Sequence, residues 1–235
     1  FLLREDFSRF PIGDFPYDTE HSAMGEYHLY RVPGETYGWF DPVCNYNYRG
    51  PSWIITEDEG KHYMEQMRVP VQTLKPHKIW PTLVIGENRW KDYTLSASVR
   101  AFLTTGDAGI ALCYQNSLNL LAFLFRDGKA LLLYRHKVVE TILAEKEYPI
   151  NCDDTYRMSV ELCGEKIRCL VNGEELFTVE TPLAAKGGKI ALTLEEGDEL
   201  IFVACTEGDS DVIIATRQGQ AARFAEDRVR VMGRT

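Results

Sequence analysis

Two dipeptides constrain this chain more than any other feature. Asn172-Gly173 separates Lys166–Val171 from Glu174–Val179, and Asp127-Gly128 separates Leu118–Arg126 from Lys129–His136. Each pair suits a two-residue turn with positive φ at both positions, whose twist matches two antiparallel strands. The flanking segments alternate. Tyr93, Leu95, Ala97, Val99, Ala101 and Leu103 interleave with Thr94, Ser96, Ser98 and Arg100. Tyr156, Met158, Val160 and Leu162 interleave with Arg157, Ser159 and Glu161. A period of two is a strand with one wet face. Leu118–Arg126 is nearly all apolar and is expected to be buried on both faces. Further strands are predicted at Ala108–Tyr114, Ile190–Leu194, Leu200–Cys205, Val212–Thr216 and Gln220–Phe224. No twelve-residue segment carries a helical stripe. The predicted fold class is all-β, two antiparallel sheets or a barrel.

Composition narrows the function. With 235 residues the chain buries a sizeable core without staples. Charged residues are 26% and hydrophobic residues 45%, which excludes a disordered chain. No run of 18 apolar residues exists, so no membrane partner is expected. Net charge is −9, the wrong sign for displacing counterions from nucleic acid. Six cysteines show no C-x-x-C and no zinc spacing. A two-residue turn at Gly164-Glu165 sets Cys169 opposite Val160 rather than Cys163, so those two cysteines do not bridge in that register. Free thiols are expected, which favours a reducing, cytoplasmic compartment. The chain begins at Phe1, so a preceding or cleaved segment stays open.

Two resemblances emerge from the motifs. The first rests on Glu5-Asp6-Phe7-Ser8, Gly25-Glu26-Tyr27-His28, Arg89-Trp90-Lys91-Asp92-Tyr93 and Gly106-Asp107-Ala108-Gly109-Ile110-Ala111. Tyr156-Arg157, Val171-Asn172-Gly173 and Gly187-Gly188-Lys189-Ile190-Ala191-Leu192 complete it. Residues 1–190 thereby resemble the concanavalin A-like jelly rolls, and more narrowly laminin-G-like and 3-keto-disaccharide-hydrolase-like modules of carbohydrate-processing proteins. The second rests on Leu194–Ile201, Ile213–Ala221, Phe224 and Val231–Thr235. From about residue 188 to 235 the chain resembles one blade of the C-terminal β-pinwheel of DNA gyrase A. That family wraps DNA on several blades and carries a basic box; neither the other blades nor the box is present. Residues 187–235 hold six Lys and Arg against nine Asp and Glu, so DNA binding is disfavoured. The expected organisation is a jelly-roll β-sandwich at 1–190 and a blade-like β segment at 191–235, packed on or completing it. A natural fusion, an engineered one or an assembly error fits this pairing.

The candidate ligand site lies among aromatics. Residues 1–100 hold 17 of the 27 Phe, Tyr and Trp. Tyr37, Trp39, Phe40, Tyr46, Tyr48 and Trp53 cluster there, interleaved with Asn45, Asn47 and Arg49. Sugar rings stack C–H faces on aromatic planes, and their hydroxyls need amide and guanidinium partners. Tyr37, Trp39, Asn45, Tyr46, Tyr48, Arg49 and Trp53 are therefore the candidate carbohydrate contacts. The alternative, that these rings fill core positions, stays open at this point; Trp80 and Trp90 are assigned to the core.

Catalysis finds less support. A glycosidase of this fold would carry acids two apart on one strand face. Glu57-Asp58-Glu59-Gly60 reads as an acidic turn, and Glu145 and Glu147 as surface charges. His62, His77 and His136 are general-base candidates by type alone. No G-x-S-x-G elbow and no phosphate loop occurs. The jelly-roll resemblance implies a structural Ca²⁺ where the termini meet, with Asp6 and Asp227 as oxygen donors. The expected function is a non-catalytic carbohydrate-binding or accessory module of a glycan-processing protein, acting by ring stacking on a concave face. The alternatives are a glycoside hydrolase or polysaccharide lyase-like enzyme, and a fusion carrying a gyrase fragment.

Overall fold

The computed structural model describes residues 3, 5–14, 28–30, 38–42, 53–58, 60–66, 82–101, 106–137, 139–152, 154–195, 211–215 and 221–225. The strands, in chain order, are β1 (Gly13–Asp14), β2 (His28–Tyr30), β3 (Trp39–Asp41), β4 (Trp53–Asp58), β5 (Lys61–Gln66) and β6 (Thr82–Ile85). Next come β7 (Thr94–Arg100), β8 (Asp107–Asn116), β9 (Asn119–Arg126), β10 (Lys129–His136), β11 (Val139–Glu147) and β12 (Thr155–Cys163). The series ends with β13 (Lys166–Val171), β14 (Glu174–Glu180), β15 (Lys189–Glu195), β16 (Asp211–Ala215) and β17 (Ala221–Ala225). A short 3₁₀ turn at Ala184–Lys186 is the one helical element among the described residues. No helix there is long and apolar enough to cross a membrane.

The protein is an all-β, jelly-roll sandwich. Its large sheet runs β11-β10-β9-β8-β15-β6-β3-β2 and its small sheet β14-β13-β12-β7. The chain crosses between them at β6–β7, β7–β8, β11–β12 and β14–β15, so strands distant in sequence become neighbours. A third sheet runs β1-β4-β5. Residues 1–198 form one compact unit and 199–235 another. Within the second unit β16 and β17 pair antiparallel, with Val212 opposite Phe224. β15 runs through positions 190 and 191, and the compact units divide between 198 and 199.

Turn chemistry explains the hairpins. Asn172 and Gly173 have φ of 51° and 84°, and Asp127 and Gly128 of 50° and 75°. Only left-handed residues close such two-residue loops. From these turns register follows: Val160 faces Cys169, and Cys163 faces Lys166. Cys113, Cys152, Cys163 and Cys169 carry free thiols; Cys44 and Cys205 lie outside the described residues. The strand predicted at Leu200–Cys205 also lies outside them.

The core sits between the two sheets. Ile110, Leu112, Phe123, Phe125, Leu132 and Leu83 from the large sheet meet Met158, Val160, Ile167 and Cys169 from the small one. A second apolar cluster lies on the other face of the large sheet: Val84, Ala111, Ala122, Leu124, Leu131, Leu133 and Ala191. β9 is therefore buried on both faces, as its unbroken apolar run requires.

Candidate functional site

The large sheet's outer face, turned away from the small sheet, is built from one cross-strand row. Leu133, Ala122, Ala111, Ala191, Val84 and Phe40 stand side by side across β10, β9, β8, β15, β6 and β3. The next row runs Leu131, Leu124, Gly109, Thr193 and Thr82. Thr82 and Thr193 are fully buried, and their hydroxyls have no hydrogen-bond partner among the described residues. Beyond this row, Arg126 binds both oxygens of buried Asp107 and donates to Glu140 Oε2 at 3.0 Å. Those bonds hold the Arg126 guanidinium protonated, its pKa raised above the usual value despite partial burial.

The aromatic candidates separate by exposure. Trp39 and Trp53 are 4% and 0% exposed and belong to the inter-sheet core. Trp39 stacks near Phe7, centroids 5.8 Å apart, and its Nε1 donates to Glu5 Oε2 at 3.2 Å. Trp53 shares its inward face with Ile55, two residues on. Neither ring offers a face to a sugar, so the stacking role expected of these two is corrected: they are packing residues. Phe40, between them in sequence, takes the opposite face and is half-buried, with Lys189 Nζ 4.6 Å from its centroid. Tyr37, Asn45, Tyr46, Tyr48 and Arg49 lie outside the described residues. In sequence the last four fall between β3, which opens on buried Trp39, and β4, which opens on buried Trp53.

The acidic and histidine candidates are engaged structurally. Asp58 pairs with Arg100 at 3.0 Å, and Glu57 faces His62 across the β4–β5 hairpin. His62 Nδ1 lies 3.1 Å from the Phe7 carbonyl oxygen. Glu145 and Glu147 both pair with Lys129, at 2.9 and 3.7 Å. His77 lies outside the described residues. Asp6 accepts from Ser8 N and Oγ in a local turn, and Asp227 lies outside the described residues. Among the described residues no three His, Cys, Asp or Glu side chains gather as a metal site. Sequence reasoning missed Tyr134 and Asn119, which hydrogen-bond together beside His136. Their signal was available: Tyr134 and His136 are two apart on β10, and the Asp127-Gly128 turn brings Asn119 opposite His136.

Comparison with known proteins gives two findings. Residues 182–207 and 210–235 match the DNA gyrase C-terminal domain, beta-propeller family. The DNA gyrase A polypeptide of Halalkalibacterium halodurans is 58% identical over 50 residues, which is 21% of this chain and 6% of that protein. Its counterpart in Clostridium acetobutylicum is 51% identical over 49 residues, again 21% and 6%. The chain thus spans a small fraction of these relatives. Among solved structures, the carbohydrate binding module CBM66 from Bacillus subtilis superposes with a TM-score of 0.45 at 9% identity, covering 61% of this chain and 91% of that one. A lichenase derived from a mouse hindgut metagenome gives 0.43 at 13% identity, covering 80% and 86%. The Caenorhabditis elegans galectin LEC-6 gives 0.39 at 14% identity, covering 50% and 91%. The last quarter of the chain is therefore similar in sequence to the DNA gyrase C-terminal domain family.

Proposed function

We propose that this protein is a non-catalytic carbohydrate-binding module that holds a glycan at the end of the large sheet where β3 pairs with the edge strand β2. The observation that carries the reading is the aromatic segment between two buried tryptophans. In sequence Asn45, Tyr46, Tyr48 and Arg49 fall between Trp39 and Trp53. Tyrosines supply stacking planes at low entropic cost, and the amide and guanidinium groups supply hydroxyl partners. Phe40 and Lys189 extend the same end of the sheet with an apolar ring and a cation.

The non-catalytic half of the proposal rests on the acids. A retaining pair needs two carboxyls about 5 Å apart, one of them free to protonate a leaving group. On the outer face Asp107 and Glu140 are both tied to Arg126. The middle rows there carry Ala, Leu, Val and Thr.

Affinity gel electrophoresis against plant and bacterial polysaccharides tests the reading. Retardation by one glycan, weakened in Tyr46→Ala and Tyr48→Ala with an unchanged urea midpoint, is the expected result. Trp53→Ala should instead lose about 3–5 kcal/mol of stability, as large core truncations do. Migration unaffected by every glycan overturns the proposal.

A further inference from the structure

We propose that Tyr134, His136 and Asn119 form a second carbohydrate contact, distinct from the segment between β3 and β4. The ligand class rests on the glycan reading above; the site rests on its own geometry. The Tyr134 hydroxyl lies 3.1 Å from Asn119 Oδ1 and 3.2 Å from His136 Nδ1. A phenol has one proton to give, and an amide oxygen only accepts. Tyr134 therefore donates to Asn119, and the His136 Nδ1–H donates to Tyr134. In the neutral ring this leaves Nε2 as an acceptor. Asn119 keeps both Nδ2 protons. Neither side chain makes another hydrogen bond among the described residues. One acceptor and one donor group side by side match a pair of neighbouring sugar hydroxyls.

The rings supply the apolar half. Tyr134 and His136 stack with centroids 5.9 Å apart and planes 28° from parallel. His136 is exposed and Tyr134 half-buried. Val139, opposite His136, is 62% exposed and widens the apolar surface. The hydrogen bonds fix both rings before any ligand arrives, so little rotamer freedom remains to be lost on binding. A C–H face of one pyranose suits such a platform. Its place in the sheet keeps it separate from the first contact. β10 and β3 are separated by β9, β8, β15 and β6. At about 4.8 Å per strand, the two strands lie roughly 24 Å apart across the sheet. Tyr134 packs toward the inter-sheet core, whereas Phe40 packs on the outer face. One sugar ring cannot touch both, so each contact holds its own stretch of glycan.

The test uses the intact chain in affinity electrophoresis on the same glycans, with His136→Ala, Asn119→Ala and Tyr134→Phe beside Tyr46→Ala. Each platform variant should weaken retention roughly three- to tenfold, the loss of one or two hydrogen bonds, with an unchanged urea midpoint. The ¹⁵N shifts of His136 should report a proton on Nδ1 and move when the glycan is added. Retention that falls in Tyr46→Ala and stays at the wild-type level in all three platform variants overturns this site and leaves the proposed function standing. Retention lost only in the platform variants supports this site and overturns the reading at the β3 end of the sheet. No retention of the wild-type chain overturns both.

Discussion

At the residue scale, burial decides what each reactive group can do. The Cys113 thiol is pushed up to about 11 by burial, in spite of its contact with the Tyr93 hydroxyl. Burial likewise raises Tyr93 and Cys169 well above their ordinary values. All three stay protonated in the folded chain at pH values where the unfolded chain begins to ionise. The folded chain then binds more protons than the unfolded one, so stability falls as pH rises. The Cys113 contribution is complete below about pH 9 and is lost as pH climbs towards 11, whereas Tyr93 and Cys169 lose theirs only at higher pH. For Cys113 alone the loss is about 3 kcal/mol. Urea midpoints measured from pH 7 to 11 should be level to about pH 9 and then drop. The same scale shows why the aromatic cluster was only half legible. A tryptophan serves a core and a sugar equally well by type. The alternation Trp53, Ile55 marked an inward face, but Trp39 sits in a strand of three residues with too little pattern to reveal its face.

At the element scale, hairpins written in local turn chemistry were readable to within a residue. β10 and β13 begin and end where alternation and the flanking dipeptides predict. What the local pattern lacks is the order of strands. β15 lies between β8 and β6, about seventy-five residues and about a hundred residues away in sequence, and no turn specifies that. Bulges were also hidden. Cys113, at φ 51°, shifts the β8–β9 register between Leu112 and Asn116. Gly109 is the tightest point of the same pairing. A Cβ there would stand 2.3 Å from the Phe123 carbonyl oxygen and 2.6 Å from Leu124 Cα. Those atoms are backbone and cannot swing aside. Gly109→Ala should therefore cost about 1–3 kcal/mol, the range of overpacked cores. Chemical denaturation of the variant measures it; a midpoint equal to wild type would mean that β8 and β9 do not approach this closely.

At the scale of the whole molecule, the two resemblances meet at a strand. The gyrase-like match begins at residue 182, and its first stretch contains β15, a central strand of the large sheet. Among the described residues, every strand of the two sandwich sheets ends by Glu195. Truncation after Asp198 should thus keep a cooperative urea transition, whereas truncation after Gly188 removes β15 and should abolish it. Loss of cooperativity in the longer fragment would contradict the placement of the closing strand. The blade resemblance was legible because it is a long local run. The expectation that the blade-like segment packs on or completes the sandwich names no partner strands, since the pairing of β15 with β8 and β6 is non-local. In the proposed function, this sandwich binds sugar without transforming it. Calorimetric titration of the intact chain with oligosaccharides of a retarding glycan, followed by mass analysis of the recovered sugar, tests it most directly. Saturable binding with the oligosaccharide unchanged is the predicted result; shortened or unsaturated products, or no binding heat, would contradict it.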